Sequence, residues 1–316
     1  MKVTIYKQAD ALPPLPEGSF FHSRALMELM EATPRLKPYM AVTTDDEGQA
    51  VACLLAIVQH RRSWLPPFLY SHVRILGEGE GRGDCFGLMM KAVTERFQNR
   101  TLYMEVSHLS QKMLGYRELR RLGYFPVRWS SVHNSLHSRT PEERILPRQL
   151  RRVENAERRG ATCKIVETDD DFRAFIDLMC SYAWLKPRRY IPPMEFFRGL
   201  MDSGCGSLFL TTFHGKPIGC TALVYSGSDA YLWYSKARRK SRVHLHPNAV
   251  TLWHSIKHAH AQGCAHIRFM DVGLPFRKNP YRDFLLRFGG KEVSTYRWFR
   301  INIRWVNQLA SWLWRE

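Results

Sequence analysis

The sequence predicts an α/β protein, in detail an α+β mixed-sheet fold, built as two tandem domains related by an internal repeat. Three observations predict it. The chain has 316 residues, enough for two domains that each bury a core. Hydrophobic residues make up 45% and include nine tryptophans, which excludes a disordered chain. Similar segments recur in one order about 165 residues apart.

LYMEVS (102–107), YRELRRLGY (116–124) and VRWSSVHNSL (127–136) have counterparts in IRFMDVG (267–273), YRDFLLRFGG (281–290) and VSTYRWFRI (293–301). Upstream, TTDDEGQAVACLLA (43–56) matches TTFHGKPIGCTALV (211–224), with Gly48 over Gly215 and Cys53 over Cys220. Several matches at one separation argue for duplication.

The second half shows the elements most clearly. CKIVE reads as a strand, Asp169 or Asp170 as the cap of a helix DFRAFIDLMCSYAW, and PPMEFFRGLMDSG as a second helix led by proline. SLFLTTF, IGCTALVYS and AYLWYS are strands joined by the turn residues HGKP and GSD. A basic loop then leads to a helix from Pro247 to about Gln262, the strand HIRFMDV, a helix from Tyr281 to Phe288 and a last strand. This order is that of the GNAT acyltransferase fold, so the repeat predicts two tandem GNAT-like domains. Expected boundaries are 1–139 for a non-catalytic first domain and 161–301 for a second with the donor site. Residues 140–160 read as a solvated basic connecting helix stopped by Gly160, and 302–316 as an aromatic basic tail.

The net charge of +18 raises the local concentration of polyanions, whether nucleic acid, anionic lipid headgroups or phosphorylated metabolites. The longest apolar run, Ala50 to Val58, is too short to cross a bilayer, and MKVTIYKQAD lacks a signal-peptide core, so a cytoplasmic place is expected. Seven scattered cysteines without a CxxC pair fit a reducing compartment and offer no strong nucleophile.

The chain resembles the Fem-type aminoacyltransferases that build peptidoglycan bridges, and their tandem GNAT-like relatives. The likeness is carried by LRRVENAERRGATCKIVE, with its basic helix and Ala-x-x-x-Gly step, by HPNAVTLWHSIKHAHAQGCAHIRFMDVG, and by the Phe-x-x-x-Phe-Gly pattern in YRDFLLRFGG. It departs in two places. Leu285 stands where members using aminoacyl-tRNA often carry Lys, and no coiled-coil insertion for tRNA is present. The resemblance implies no tightly bound cofactor and a donor that is either an acyl thioester (acyl-CoA or acyl carrier protein) or aminoacyl-tRNA, with tRNA weakened by those departures. The implied acceptor carries an amine and belongs to a cell-envelope precursor or a lipid.

The segment HLHPNAVTLWHSIKHAHAQGCAH is histidine-rich, yet it lacks the HExxH of a zinc protease. On a helical wheel Ala249, Leu252, Trp253, Ile256 and His260 share the core face, which leaves His254 and His258 on a solvated one; no metal is expected. The loop before the helix packs Lys236, Arg238, Arg239, Lys240 and Arg242, and the GNAT likeness makes it the donor's pyrophosphate site, with His244 and Asn248 beside it. A helix start suits anions because its N–H groups lack helical partners. GEGEGRGDCFG (77–87) in the first half carries Glu78, Glu80 and Asp84, which repel phosphate, so a flexible turn and helix cap are expected there.

Acyl transfer to an amine needs a proton acceptor and a polarised carbonyl. Asp271, Asp283 and either His244 or His246 are candidates for the first role, Tyr234 and Ser235 for the second. Asp271 as a turn cap and Tyr234 as core are the plain alternatives. In KPRRYIPP, Lys186, Arg188, Arg189 and Tyr190 suit an acceptor bearing phosphate or carboxylate. The end YRWFRINIRWVNQLASWLWRE, with Trp298, Trp305, Trp312 and Trp314 among Arg297, Arg300, Arg304 and Arg315, suits an anionic membrane surface, which would place the protein peripherally at the inner membrane face. Two other readings stay open: an N-acyltransferase acting on a soluble small molecule, and a non-catalytic module for anionic surfaces or nucleic acid.

Overall fold

The computed structural model describes residues 1–60, 69, 71–181, 190–238 and 243–314. They form two compact units, Met1–Trp129 with Ser294–Glu316, and Ser130–Val293.

The first unit contains β1 (Lys2–Tyr6), α1 (Arg24–Glu31), β2 (Leu36–Thr44), β3 (Ala50–His60), β4 (Ser71–Leu76), β5 (Glu80–Gly81), α2 (Phe86–Phe97), β6 (Tyr103–Ser107) and α3 (Tyr116–Arg121). β7 (Phe125–Ser135) starts in the first unit and ends in the second. The second continues with α4 (Pro141–Arg144), α5 (Pro147–Arg158), β8 (Ala161–Ile165), α6 (Asp169–Cys180), α7 (Met194–Asp202), β9 (Gly206–Phe213), β10 (Lys216–Ser226), β11 (Asp229–Ala237), α8 (Pro247–Ala261), β12 (His266–Gly273) and α9 (Pro280–Leu286). The chain returns to the first unit through β13 (Lys291–Ile301) and α10 (Arg304–Leu313).

Both units follow the same succession. In the first the strand order is β1-β2-β3-β4-β6-β13, with β5 beside β3; in the second it is β7-β12-β11-β10-β9-β8. Antiparallel hairpins lead to one parallel pair that spans a helix, β4 with β6 over α2 and β11 with β12 over α8. The matched hairpin glycines, Gly48 (φ +84°) and Gly215 (φ +72°), hold left-handed turns that a side chain resists, and the matched Cys53 and Cys220 are both fully buried on the following strand. All seven cysteines are free thiols, and burial pushes Cys53 up to about 12, far from a thiolate at neutral pH.

The outermost strands were expected in sequence order, and here the structure differs. β13 pairs with β6, Trp298 opposite Val106, whereas β7 pairs with β12, Ser135 opposite His266. The two final strands are therefore exchanged, and the units do not divide at residues 139 and 161. Each half-sheet needs a partner for its exposed N–H and C=O groups, and two similar strands can each supply one.

Three local expectations also change. Segment 140–160 is two helices that belong to the second unit's core, where Val153 and Ala156 of α5 are buried with Trp253 and Ile256 of α8; Gly160 (φ +98°) does end it. Thr168, not Asp169 or Asp170, caps α6, because its hydroxyl accepts the Asp171 N–H at 3.2 Å, leaving Asp169 to pair with Arg198 at 2.8 Å. Trp298 is fully buried, and Arg297 is paired with Glu105 at 3.3 Å beneath the Trp129 ring, so neither belongs to an exposed tail.

Candidate active site in the second unit

The parallel strands β11 and β12 are paired only at their start. Asp229 faces His266, Ala230 faces Ile267, Tyr231 faces Arg268 and Leu232 faces Phe269, and the pairing ends there although β11 continues to Ala237 and β12 to Gly273. Two irregularities open the pair. On one side Trp233 is an extra residue in β11, since Ala222 faces Tyr234 and Leu223 faces Leu232. On the other, β12 spends Met270, Asp271 and Val272 against Ser131 alone of β7, with Asp271 left-handed at φ +63°. Bulges bend a strand and end its pairing, which parts the two strands into a notch. The closed end is held by the Asp229 carboxylate, 2.6 Å from Arg268 and 3.0 Å from His266.

The start of α8 lies beside the open end of β11. Gly219 of β10 faces Ala237, and a methyl group added at Gly219 would strike the Thr251 hydroxyl and come within 3.1 Å of the Pro247 carbonyl. Glycine is what lets the helix approach this closely. A chain of hydroxyls fixes that turn: Thr211 bonds Thr251 at 2.5 Å, and Thr251 donates to the Pro247 carbonyl at 2.8 Å.

Cations gather at this helix start. His246 caps α8 in a left-handed conformation (φ +40°) without a side-chain cap bond, and its carbonyl accepts the N–H groups of Ala249 and Val250 at 2.7 and 3.2 Å. Burial, then the charges of Arg152, Arg159 and His244, lower the His246 pKa and favour the neutral ring. Arg159 also donates to the His244 carbonyl at 3.3 Å. The sequence reading assigned Arg152 and Arg159 to a solvated connector and missed this role. Their signal was the basic helix in LRRVENAERRG, whose neighbour only the fold reveals.

Tyr234, Ser235 and Asp271 lie beyond the last paired rung, Asp271 exposed and Ser235 within 3.4 Å of the Thr221 hydroxyl. The Tyr234 ring is buried between Phe197 and Trp233. His244, His246 and Asn248 stand at the start of α8, and Arg238 is exposed, with its N–H bonded to the Ile218 carbonyl at 2.9 Å. Asp283 is exposed in the first turn of α9, and Tyr190 is half-buried just before α7. Lys186, Arg188, Arg189, Arg239, Lys240 and Arg242 lie outside the described residues.

The histidine pair of α8 is not on a solvated face. His254 bonds Glu157 of α5 at 2.8 Å, and His258 packs edge-on against Phe209 of β9 with its pKa lowered by burial. It is His260 that is exposed. α8 is covered by the sheet on one side and α5 on the other, so its wheel has no broad solvent face. Among the described residues no group of three or more His, Cys, Asp or Glu is placed to hold a metal ion.

The corresponding place in the first unit is built differently. β4 and β6 stay paired from His72–Tyr103 to Leu76–Ser107, and Gly77 N–H donates to the Ser107 carbonyl at 2.7 Å, so that pair does not part. GEGEGRGDCFG is also no flexible turn. Glu80 and Gly81 pair with Cys53 and Ala52 of β3, and the loop bounds a cavity of about 450 Å³ with Glu78, Glu80, Asp84 and Glu118 in its wall.

The strand order and the parting of β11 and β12 give two tandem units of GNAT-like fold. Residues 144–278 match the family model described as an acetyltransferase (GNAT) domain. Among solved structures the chain is similar to FemX, at 12% identity over 94% of this chain and 95% of that one, TM-score 0.64. It is similar to the C-terminal domain (DUF2156) of a putative lysylphosphatidylglycerol synthetase from Agrobacterium fabrum, at 10% identity over 92% and 91%, TM-score 0.61. A tandem GNAT protein from the clavulanic acid biosynthesis pathway aligns at 10% identity over 95% and 99%, TM-score 0.58. At these identities the likeness is one of fold. No curated protein matches by sequence.

Proposed function

We propose that the protein is a GNAT-fold transferase that moves an acyl or aminoacyl group onto an amine of a cell-envelope precursor or lipid, with the donor in the notch of the second unit. The observation that carries the reading is the parting of β11 and β12 after Leu232 and Phe269, beside a helix start ringed by Arg152, Arg159, His244 and His246. The Arg152 and Arg159 guanidinium groups suit the donor's phosphates. The acceptor nitrogen attacks the donor carbonyl, its bond to the donor's sulfur or ribose oxygen breaks, and a proton passes from nitrogen to a base for which Asp271 is the carboxylate beside the notch. The likeness to FemX and to lysylphosphatidylglycerol synthetases supports the envelope or lipid acceptor, and a cytoplasmic place at the inner membrane face accords with it.

The test is to incubate purified protein with acyl-CoA, acyl carrier protein and aminoacyl-tRNA donors, each with several amine acceptors. Transfer from one donor class is expected, and no transfer from any of them overturns the reading.

A further inference from the structure

The helix α10 carries its amphipathic character inside out. Val306, Asn307, Ala310 and Ser311 form its half-buried inner side, where Asn307 donates to the Gly123 carbonyl at 2.9 Å and accepts the Ile301 N–H at 2.8 Å. Arg120 of α3 lies 3.5 Å from the Ser311 hydroxyl. The helix is thus pinned by polar groups, and its large apolar residues point away from the protein. Trp305 is 68% exposed, Leu309 50%, Trp312 61% and Leu313 64%. No residue of α10 is buried.

Water penalises such a stripe, which a globular protein would normally turn inward. We propose that this face docks flat onto the surface of an anionic phospholipid bilayer. Tryptophan favours the zone between headgroups and acyl chains, because its ring is apolar while its N–H stays hydrogen-bonded. The rim supplies the charge: Arg304 flanks the stripe on α10, and Arg117, Arg120 and Arg121 are exposed on α3, with Glu118 as the one carboxylate among them. Basic residues beside an apolar helix face complement anionic headgroups and select them over neutral ones. No described helix is long and apolar enough to cross a membrane, which fits a helix lying in the interface. The net charge of +18 acts in the same direction. The inference does not depend on acyl transfer, since docking is measured without donor or acceptor.

The full chain is sedimented with vesicles of phosphatidylglycerol and phosphatidylcholine, and separately with phosphatidylcholine alone. Binding to the anionic vesicles, weakened by salt and at least tenfold weaker for the triple variant Trp305→Ser/Leu309→Ser/Trp312→Ser, is the expected result. Arg117→Glu/Arg121→Glu should lose severalfold in affinity. Brominated lipids in the vesicles should quench tryptophan fluorescence of the unaltered protein, a readout that needs no variant to fold. Absence of binding, or equal binding by the triple variant with its melting curve intact, overturns the proposal. So does a dimer that the triple variant converts to monomer without any vesicle binding, because the face would then join two copies.

Discussion

The carboxylate of Asp229 on β11 lies 2.6 Å from Arg268 and 3.0 Å from His266 on β12, at the end where the parallel strands are still paired. The clamp holds the closed end, three rungs before the strands part after Leu232 and Phe269. Asp229→Ala leaves the Arg268 guanidinium without this partner in a setting where the Asp229 side chain is 9% exposed and that of Arg268 36%. The expected loss is roughly 2 kcal/mol, below the value for a fully buried pair because Arg268 reaches water. Urea unfolding of the variant against the unaltered chain measures it.

Asp271 stands left-handed beside the notch, a conformation that Asn tolerates as well as Asp. Asp271→Asn therefore keeps the bulge and removes the charge. If the carboxylate takes the amine proton, the transfer rate falls on the order of 100-fold, in line with general-base contributions. The melting temperature should hardly change. A variant as active as the original would return Asp271 to a turn residue.

The charges of Arg152 and Arg159 act on His246 at the start of α8, and Arg159 donates to the neighbouring His244 carbonyl. Replacing each by Ala should raise the KM for a phosphate-bearing donor about tenfold, the effect of one lost charged contact, with kcat little changed. Steady-state kinetics at two ionic strengths check it, and the effect should shrink at high salt.

His22 of the first unit is buried, with its pKa lowered from 6.5 to about 4 chiefly by burial. Its Nδ1 accepts the Leu55 N–H at 3.0 Å, which requires a lone pair there. The folded state resists the proton that the unfolded chain takes up near pH 6.5, so this stability is present above about pH 6.5 and is lost progressively toward pH 4. The loss comes to about 3 kcal/mol for a shift of this size. Denaturation midpoints at pH 7.5, 6 and 4.5 should follow that trend, and His22→Gln should lessen it, with half-buried His133, its pKa lowered to about 4 as well, accounting for part of the remainder.

At Gly219 a methyl group would meet Thr251 and the Pro247 carbonyl. Gly219→Ala should cost about 1–3 kcal/mol through overpacking and push α8 from the sheet. Thermal unfolding shows the first effect, and weaker donor binding the second.

Much of the second unit was legible from the chain alone. The hairpins around HGKP and GSD, the helix opening at Pro247 and the strand HIRFMDV all follow from local turn chemistry and periodicity, which act within a few residues. The segment likeness pointed to the right fold for the same reason, since motifs record local geometry.

What the sequence by itself determined is thus the elements, their order and the basic character of the loop before α8. Only the tertiary structure decided which strand completes each sheet, because β7 and β13 each satisfy the same edge groups and no local rule chooses between them. It also decided that β11 and β12 part while β4 and β6 stay together, a consequence of bulges that exist only against a neighbouring strand. It also turned one expectation around, since His254 and His258 face α5 and the sheet, and it left the tryptophans of α10 facing water. A helical wheel records which residues share a side; what lies against that side is set by contacts made far along the chain.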